Sequence, residues 1–162
     1  MEPVIIAVGS NMGDRLSYIQ KAGQFLESLS EGEIIKSSIW ESEPIGGAKY
    51  TFLNCAAKIF TSLEPKVLLN RVKDFEQTCG REKNPVRWGP RVIDLDLITF
   101  GNLVIQDEGL IIPHSEYKNR TFVLYPLREI EPGWKDPRDQ DPIDALLAQA
   151  PENDIRKTEL SW

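Results

Sequence analysis

The sequence contains few of the residues that build disulfide frameworks or clustered metal sites. Its 162 residues include two cysteines, Cys55 and Cys79, and a single histidine, His114. Two cysteines are too few for a disulfide scaffold, and their spacing does not match that of metal ligands. We therefore expect both cysteines to be small core residues of a protein in a reducing compartment.

The sequence also lacks the features that would direct it to a membrane or to nucleic acid. No apolar run approaches the roughly 20 residues that cross a bilayer, and Met1–Ser10 has no basic region before its apolar stretch. The net charge of −6 argues against a general nucleic-acid surface, because binding phosphates along a strand needs a basic stripe. We expect a cytoplasmic protein that binds neither membranes nor nucleic acid.

The remaining composition is that of an ordinary globular protein. Hydrophobic residues make up 41% of the chain and charged residues 27%, which allows a buried core without disulfides or metals. The sequence has no internal repeat, low-complexity tract or linker. These observations predict one domain over residues 1–162.

Hydrophobic periodicity predicts an α+β fold. Apolar runs and alternating segments indicate strands, and apolar residues at helical spacing indicate helices. The predicted order is a strand at Val4–Val8, a helix with its apolar stripe from Leu16 to Leu29, strands at Ile34–Trp40 and Phe52–Phe60, a helix from Pro65 to Cys79, and a strand at Val92–Phe100. This βαββαβ order predicts a ferredoxin-like sandwich, a mainly antiparallel sheet with helices packed on it and a C-terminal extension.

The C-terminal part of the sequence is less regular. Gly101-Asn102 predicts a tight hairpin turn into Leu103–Ile105, and Leu110–Ile112 predicts a short strand. Helices are predicted over residues 122–130 and 143–150. The last dozen residues are polar, so we expect them to be frayed.

Two acids interrupt an otherwise aliphatic strand. Asp94 and Asp96 lie within Val92–Ile98, and the period of two residues in a strand directs both to one face, roughly 6.6–6.8 Å apart. Burying two like charges side by side is costly unless they are paired. Mg²⁺ would remove this cost, because it binds carboxylates and completes its shell with water and substrate phosphates. The alternative is a solvated edge in which the two acids pair with arginines.

A basic segment directly precedes this strand. Four basic residues, Arg81, Lys83, Arg87 and Arg91, lie near a single acid, Glu82. Phosphoryl transfer needs both metal-binding carboxylates and cations that stabilise charge in the transition state. The combination therefore favours a small, highly charged ligand over a merely solvated surface.

The segment from Arg87 to Ile98, Arg-Trp-Gly-Pro-Arg-Val-Ile-Asp-Leu-Asp-Leu-Ile, resembles the defining motif of 6-hydroxymethyl-7,8-dihydropterin pyrophosphokinases. Further landmarks of that family occur in its order over residues 4 to 130: Gly9-Ser10-Asn11, Phe52-Leu53-Asn54, Glu76, Gly80-Arg81, Pro113-His114, and Lys118-Asn119-Arg120 with Phe122. The resemblance implies an enzyme of folate biosynthesis. Its reaction would transfer pyrophosphate from ATP to the hydroxymethyl group of the pterin and release AMP.

The resemblance also implies roles for residues on the phosphate side of the site. Two Mg²⁺ ions would be held between Asp94, Asp96 and the ATP phosphates, while Arg81 and Arg91 clamp those phosphates and act in catalysis. The other residues implied to bind ATP are Glu76, Lys83, Arg87, Leu97, His114 and Arg120. The implied partners are these two small-molecule substrates, and we expect a monomer.

On the pterin side, the resemblance is supported by the chemistry of the side chains. Phe52 and Phe122 would stack on the flat ring. Asn54 lies two residues after Phe52 and so on the same face of the strand, and its amide both donates and accepts hydrogen bonds. The other residues implied to bind pterin are Ser42, Ile45 and Trp88.

The sequence departs from the family pattern at three places and leaves two other readings open. Ser115 stands where many relatives have tyrosine, Asn84 where some have a second base, and Gly109 where some have arginine. These changes affect expectations for ATP binding rather than for the reaction class. The alternatives are another Mg²⁺-dependent enzyme on a ferredoxin-like fold, such as a nucleotidyl transferase, and a non-catalytic ligand-binding module.

Overall fold

The computed structural model describes residues 1–43, 51–80 and 92–162. Within them the chain forms eight strands and four α-helices. In chain order these are β1 (Glu2–Ser10), α1 (Arg15–Leu29), β2 (Ile35–Lys36), β3 (Trp40–Ser42), β4 (Phe52–Thr61), α2 (Pro65–Thr78), β5 (Asp94–Phe100), β6 (Ile105–Asp107), β7 (Leu110–Ile112), α3 (Thr121–Ile130), α4 (Ile143–Gln149) and β8 (Ile155–Lys157). A 3₁₀ turn at Tyr117–Asn119 precedes α3.

The main sheet has the order β5-β1-β4-β3-β8, and β2 also pairs with β4. All of these pairings are antiparallel. If β2 and β3 are counted as one interrupted strand, the elements from β1 to β5 follow the βαββαβ order. The predicted ferredoxin-like α+β fold with a C-terminal extension is confirmed.

The two faces of the sheet are both covered by helices. Val4, Ile6 and Val8 of β1 pack with α1 and α2 on one face, while Ile5 and Ala7 pack with α3 and α4 on the other. This alternation explains why the Val4–Val8 run is continuously apolar, since a strand buried on both faces has no polar side. Burial on both faces places β1 in the interior of the fold, next to β4, which is the middle strand of the sheet.

Local signals in the sequence explain where the first two helices begin and where α2 ends. Asp14 caps α1 by accepting a hydrogen bond from Ser17 N at 3.1 Å, and Pro65 occupies the first turn of α2, where its missing N–H costs nothing. Gly80 follows α2 with φ of +92°, a left-handed conformation that favours glycine. The Pro65 and Gly80 boundaries agree with the sequence prediction.

Two predicted strands are wrong in detail. The predicted strand at Ile34–Trp40 is divided into β2 and β3, because Ser37 turns its hydroxyl inward and accepts a hydrogen bond from Ala56 N at 2.9 Å. The predicted hairpin at Gly101-Asn102 does not pair Leu103–Ile105 with β5. Instead β6 begins at Ile105 and pairs with β7 in a separate two-stranded sheet.

The prediction of a frayed C-terminus is also wrong. Strand β8 pairs with β3, and the indole of Trp162 donates to Ser37 O at 2.9 Å. The ring packs against α1 at Gly23, where an added Cβ would lie 3.1 Å from the indole. A short polar segment gave no sign of this order, because its stability comes from partners distant in sequence.

A buried polar cluster anchors the segment before α3. Tyr117 and Asp136 are both fully buried, and the Tyr117 hydroxyl donates to Asp136 Oδ2. Arg138 donates to both carboxylate oxygens of Asp136, at 3.0 and 2.8 Å. Burial by itself would raise the pKa of Asp136, but the hydrogen bonds from Arg138 and Tyr117 outweigh it and hold that pKa well below its usual range.

Candidate active site

The candidate site lies on the α3 face of the sheet, where the interior strand β1 ends between β5 and β4. Gly9 of β1 pairs with Asp94 of β5 on one side and with Asn54 of β4 on the other. Neighbouring strands lie about 4.8 Å apart, so the carboxylate and the amide flank one glycine. The predicted carboxylate pair and the predicted pterin amide are therefore brought together by the sheet register.

Gly9 forms the floor between these two side chains, a role that sequence reasoning did not assign. A Cβ added at Gly9 would lie 3.4 Å from Asn54 Oδ1 and 3.7 Å from Phe52 Cδ1. A larger side chain would therefore occupy the space between Asn54 and Asp94. The Gly9-Ser10-Asn11 motif was a signal, but only the register of three strands shows what the glycine leaves open.

The pterin side of the predicted site is built by β3 and β4. Ser42 pairs with Phe52 across the two strands, and Asn54 Nδ2 donates to Ser42 Oγ at 2.8 Å in a buried contact. Because residues two apart in a strand share a face, Phe52 and Asn54 lie side by side. The hydrogen bond fixes the amide, so its Oδ1 faces Gly9.

Asp96 lies beside two of the predicted ATP-binding residues. His114 Nε2 is 3.9 Å from Asp96 Oδ1, and Arg120 Nη1 is 3.8 Å from Asp96 Oδ2. The Asp96 side chain is 31% exposed, so its carboxylate remains accessible to a ligand. Arg120 also lies over the Phe122 ring, 5.8 Å from its centre. Residues from β5, the segment after β7 and the start of α3 thus converge on one carboxylate.

The tautomer of His114 follows from its hydrogen bond. Its Nδ1 accepts from Glu116 N at 3.1 Å, so the proton of the neutral ring is on Nε2, the atom that faces Asp96. Burial and the positive charge of Arg120 lower the pKa of His114 below its ordinary value. The imidazole is therefore neutral at pH 7 and is a hydrogen-bond donor toward the cleft.

The residues present suit the magnesium ions that the sequence predicted. Asp94 and Asp96 lie two residues apart on β5 and share a face. Among residues 1–43, 51–80 and 92–162, no group of three or more His, Cys, Asp or Glu side chains could hold a metal ion. Carboxylate oxygens are the protein ligands that Mg²⁺ prefers, and it takes its remaining ligands from phosphates and water.

Two predicted ATP-binding residues lie on the α2 side of β5, opposite the face that carries Asp94 and Asp96. Glu76 on α2 is buried, and its Oε2 accepts a hydrogen bond from Leu95 N at 2.8 Å. Leu97 is 5% exposed and packs in the core between the sheet and helices α1 and α2. Their contacts to ATP stay predictions. Six further predicted residues, Ile45, Arg81, Lys83, Arg87, Trp88 and Arg91, lie outside the described residues.

The anchor of the His114–Arg120 segment was not predicted from the sequence. Tyr117 lies between these two residues, and its buried bond to Asp136 ties the segment to the chain after α3. A tyrosine and an aspartate 19 residues apart give no sign of contact in the sequence. The pairing is visible only once the chain after α3 folds back.

The fold and these residues define a ferredoxin-like protein with a carboxylate-bearing cleft beside the start of α3. Residues 5–132 match the family model described as 7,8-dihydro-6-hydroxymethylpterin-pyrophosphokinase (HPPK). This chain belongs to that family, and the resemblance seen in the sequence is confirmed. No helix among the described residues is long and apolar enough to span a membrane.

Relatives of two kinds match the chain. The 2-amino-4-hydroxy-6-hydroxymethyldihydropteridine pyrophosphokinase of Aquifex aeolicus is 40% identical over 157 residues, which cover 96% of this chain and 95% of the relative. The protein of the same description from Bacillus subtilis is 44% identical over 127 residues, covering 77% and 75%. The bifunctional protein FolKE of Lactococcus lactis is 43% identical over 132 residues, and the matched segment spans 80% of this chain but 38% of that relative.

Solved structures agree with the fold. The wild-type Plasmodium falciparum HPPK-DHPS crystal structure with STZ-DHP superposes with a TM-score of 0.71 at 14% identity. The match covers 91% of this chain and 43% of that protein. At this identity the likeness supports the architecture alone.

Proposed function

We propose that this protein transfers the pyrophosphoryl group of ATP to the hydroxymethyl group of 6-hydroxymethyl-7,8-dihydropterin. The hydroxymethyl oxygen would form a bond to the β-phosphorus, and the bond from that phosphorus to the bridging oxygen of the α-phosphate would break. AMP leaves with that oxygen, and the hydroxyl proton is released. The observation that carries this proposal is the pairing of Gly9 with both Asp94 and Asn54 in a chain of the HPPK family.

The carboxylate side of the cleft supports nucleotide binding with magnesium. When bound between Asp94, Asp96 and the phosphates, Mg²⁺ would neutralise phosphate charge. Arg120 carries a positive charge next to Asp96, and the neutral His114 offers an Nε2–H donor to a phosphate oxygen. We assign both residues to ATP, together with the basic residues of the 81–91 segment, and we keep Glu76 and Leu97, which lie on the opposite face of β5, as predicted ATP contacts.

The other side of the cleft supports pterin binding. Asn54 presents Oδ1 as an acceptor, since its Nδ2 is engaged by Ser42. A pterin carries ring N–H and amino donors that such an acceptor would recognise. Phe52 and Phe122 lie on β4 and α3, which flank the cleft, and each offers a flat surface for ring stacking. Ile45 and Trp88 complete this proposed set.

Nucleotide product analysis tests the proposal. The protein is mixed with ATP, Mg²⁺ and 6-hydroxymethyl-7,8-dihydropterin, and AMP should appear only when the pterin is present. Formation of ADP would indicate γ-phosphoryl transfer and contradict the proposal. If a folded protein bound pterin without forming AMP, it would instead be a non-catalytic binding module, whereas release of pyrophosphate would indicate a nucleotidyl transferase.

A further inference from the structure

The C-terminal segment pairs along the whole length of β3, one of the two strands that build the pterin side of the site. Strand β8 pairs with β3 so that Arg156 lies opposite Glu41 and Ile155 opposite Ser42. The pairing is extended by Glu43 N, which donates to Asp154 O at 3.0 Å, and by Thr158 N, which donates to Ile39 O at 2.9 Å. The edge strand of the ferredoxin-like core is thereby covered by the tail.

Glu41 joins the tail to the start of β4. Arg156 Nε donates to Glu41 Oε1 at 3.1 Å, and its Nη2 donates to the same oxygen. The other carboxylate oxygen accepts from Thr51 Oγ1 at 3.1 Å and lies 3.5 Å from Arg15 Nη1. The Glu41 side chain is only 19% exposed. Hydrogen bonds from Arg156 and Thr51 and the charges of Arg156 and Arg15 lower its pKa despite burial.

Arg15 closes this network from α1. Its Nη1 donates to both Thr51 O, at 2.9 Å, and Thr51 Oγ1, at 2.7 Å. Thr51 is therefore held through its main chain and its side chain. The residue before Phe52 is thus contacted by the Glu41 carboxylate and the Arg15 guanidinium group, and Arg156 joins the network through Glu41.

The network lies directly behind the proposed pterin residues. Glu41 precedes Ser42 and Thr51 precedes Phe52, and Ser42 pairs with Phe52, so the hydrogen bond from Thr51 to Glu41 runs diagonally across that pair. Neighbouring residues in a strand point to opposite faces, which directs Ser42 and Phe52 toward the cleft and Glu41 away from it. Fixing Glu41 on Thr51 therefore fixes how the Ser42 hydroxyl and the Phe52 ring are presented.

We propose that Glu41 and Arg156 are positioning residues for the pterin, through which the C-terminal strand sets substrate affinity. This inference rests on the proposed function. The effect is confined to the pterin side, because β5, which carries Asp94 and Asp96, is separated from β8 by three strands. Loss of the network should weaken pterin binding while nucleotide binding and the chemical step are retained.

The chain offers a closely matched control on the same strand. Lys157 follows Arg156 and lies 3.8 Å from Glu129 Oε2 of α3. This pair also joins β8 to the rest of the fold through one lysine and one carboxylate, but Glu129 bonds Ser38 and Trp40 rather than Thr51. Arg156→Ala and Lys157→Ala therefore each remove one cation from β8, and only the first touches the proposed network.

The experiment measures the dissociation constants of 6-hydroxymethylpterin and of a non-hydrolysable ATP analogue, together with KM and kcat. For Arg156→Ala and Glu41→Gln we expect the pterin dissociation constant and KM to rise about threefold to fivefold, given the modest strength of partly exposed ion pairs. The ATP-analogue constant and kcat should change less than about twofold, within the usual spread for distant surface changes. Lys157→Ala should match the wild type, and Arg156→Lys should recover most of the pterin affinity.

The possible results distinguish a failure of this inference from a failure of the proposed function. If the wild-type enzyme turns over normally and the Arg156→Ala and Lys157→Ala variants bind pterin equally well, this inference alone is overturned. Equal losses of pterin and nucleotide affinity in Arg156→Ala would also overturn it, because they indicate general loosening of the fold. A folded wild-type protein that binds no pterin would overturn the proposed function and this inference with it.

Discussion

Glu76 Oε2 accepts a hydrogen bond from Leu95 N at 2.8 Å, so helix α2 holds strand β5 at the residue between Asp94 and Asp96. The Glu76 residue is 5% exposed. A buried carboxylate bonded to a backbone N–H forms a strong, charge-assisted contact. The position of the carboxylate pair therefore depends on a side chain from the opposite side of the strand.

Replacing Glu76 should affect both stability and catalysis. Glu76→Ala leaves the Leu95 N–H without this acceptor, which we expect to lower the free energy of unfolding by about 1–3 kcal/mol. It should also reduce kcat, because the backbone N–H that loses its acceptor lies between Asp94 and Asp96 and helps to fix their positions. Glu76→Gln keeps an acceptor and should retain most of both quantities. Urea unfolding and steady-state kinetics check this, and equal effects of the two variants would contradict it.

Asp96→Ala should abolish AMP formation and leave the fold intact. The side chain is partly exposed beside His114 and Arg120, and its removal relieves β5 of one of two neighbouring like charges. The thermal unfolding temperature should stay close to the wild-type value, because the relief of repulsion from Asp94 is offset by the loss of the pairing with Arg120. Asp107→Ala on β6, whose exposed side chain lies 3.7 Å from Lys66 Nζ, provides a control that should keep full activity. AMP formation at the wild-type rate by Asp96→Ala would refute the metal assignment.

Asn54→Ala should weaken pterin binding selectively. The variant removes the Oδ1 acceptor beside Gly9 and leaves the Ser42 hydroxyl without its donor. We expect the pterin dissociation constant to rise about tenfold or more, as for the loss of one buried hydrogen bond. Calorimetric titration with pterin and, separately, with an ATP analogue measures the selectivity. Ser42→Ala is the comparison, and a larger pterin loss there than in Asn54→Ala would mean that Asn54 acts only by holding Ser42.

The Asp136 cluster should make the protein sensitive to acid. The hydrogen bonds that lower the pKa of Asp136 in the folded chain are absent in the unfolded chain, where the value is about 3.9. As the pH falls through this value the unfolded state binds the proton first, so the stabilisation present at pH 5 and above is lost below about pH 4. Asp136→Asn should lower the free energy of unfolding at pH 7 by roughly 2–4 kcal/mol.

The pH dependence separates this effect from a general loss of packing. Between pH 5 and pH 3 the wild type should lose more stability than Asp136→Asn, because the variant has no proton to bind at this position. Tyr117→Phe retains the Asp136–Arg138 pair and should keep most of the acid sensitivity. Urea unfolding at several pH values provides the measurement, and parallel stability curves for wild type and Asp136→Asn would contradict the prediction.

Much of the fold could be predicted because its signals are local. The continuous apolar run of β1, the alternation of β4 and the boundaries of α2 each depend on a few consecutive residues. Where a contact distant in sequence decided the outcome, prediction was wrong. Ser37 interrupts the second strand by bonding Ala56 N, and Trp162 orders the tail by bonding Ser37 O. Neither contact leaves a periodic pattern in the chain.

The same division applies to the site. The sequence by itself determined that Asp94 and Asp96 share a face, that Asn54 lies beside Phe52, and which family these residues match, because spacing along a strand and residue type suffice for each. The tertiary structure alone decided that Gly9 separates Asp94 from Asn54, that Glu76 holds Leu95, and that Arg156 reaches Glu41. These relationships depend on the register between strands and on where distant segments of the chain fold back onto the sheet. Both are set by the burial of the whole core rather than by any short segment.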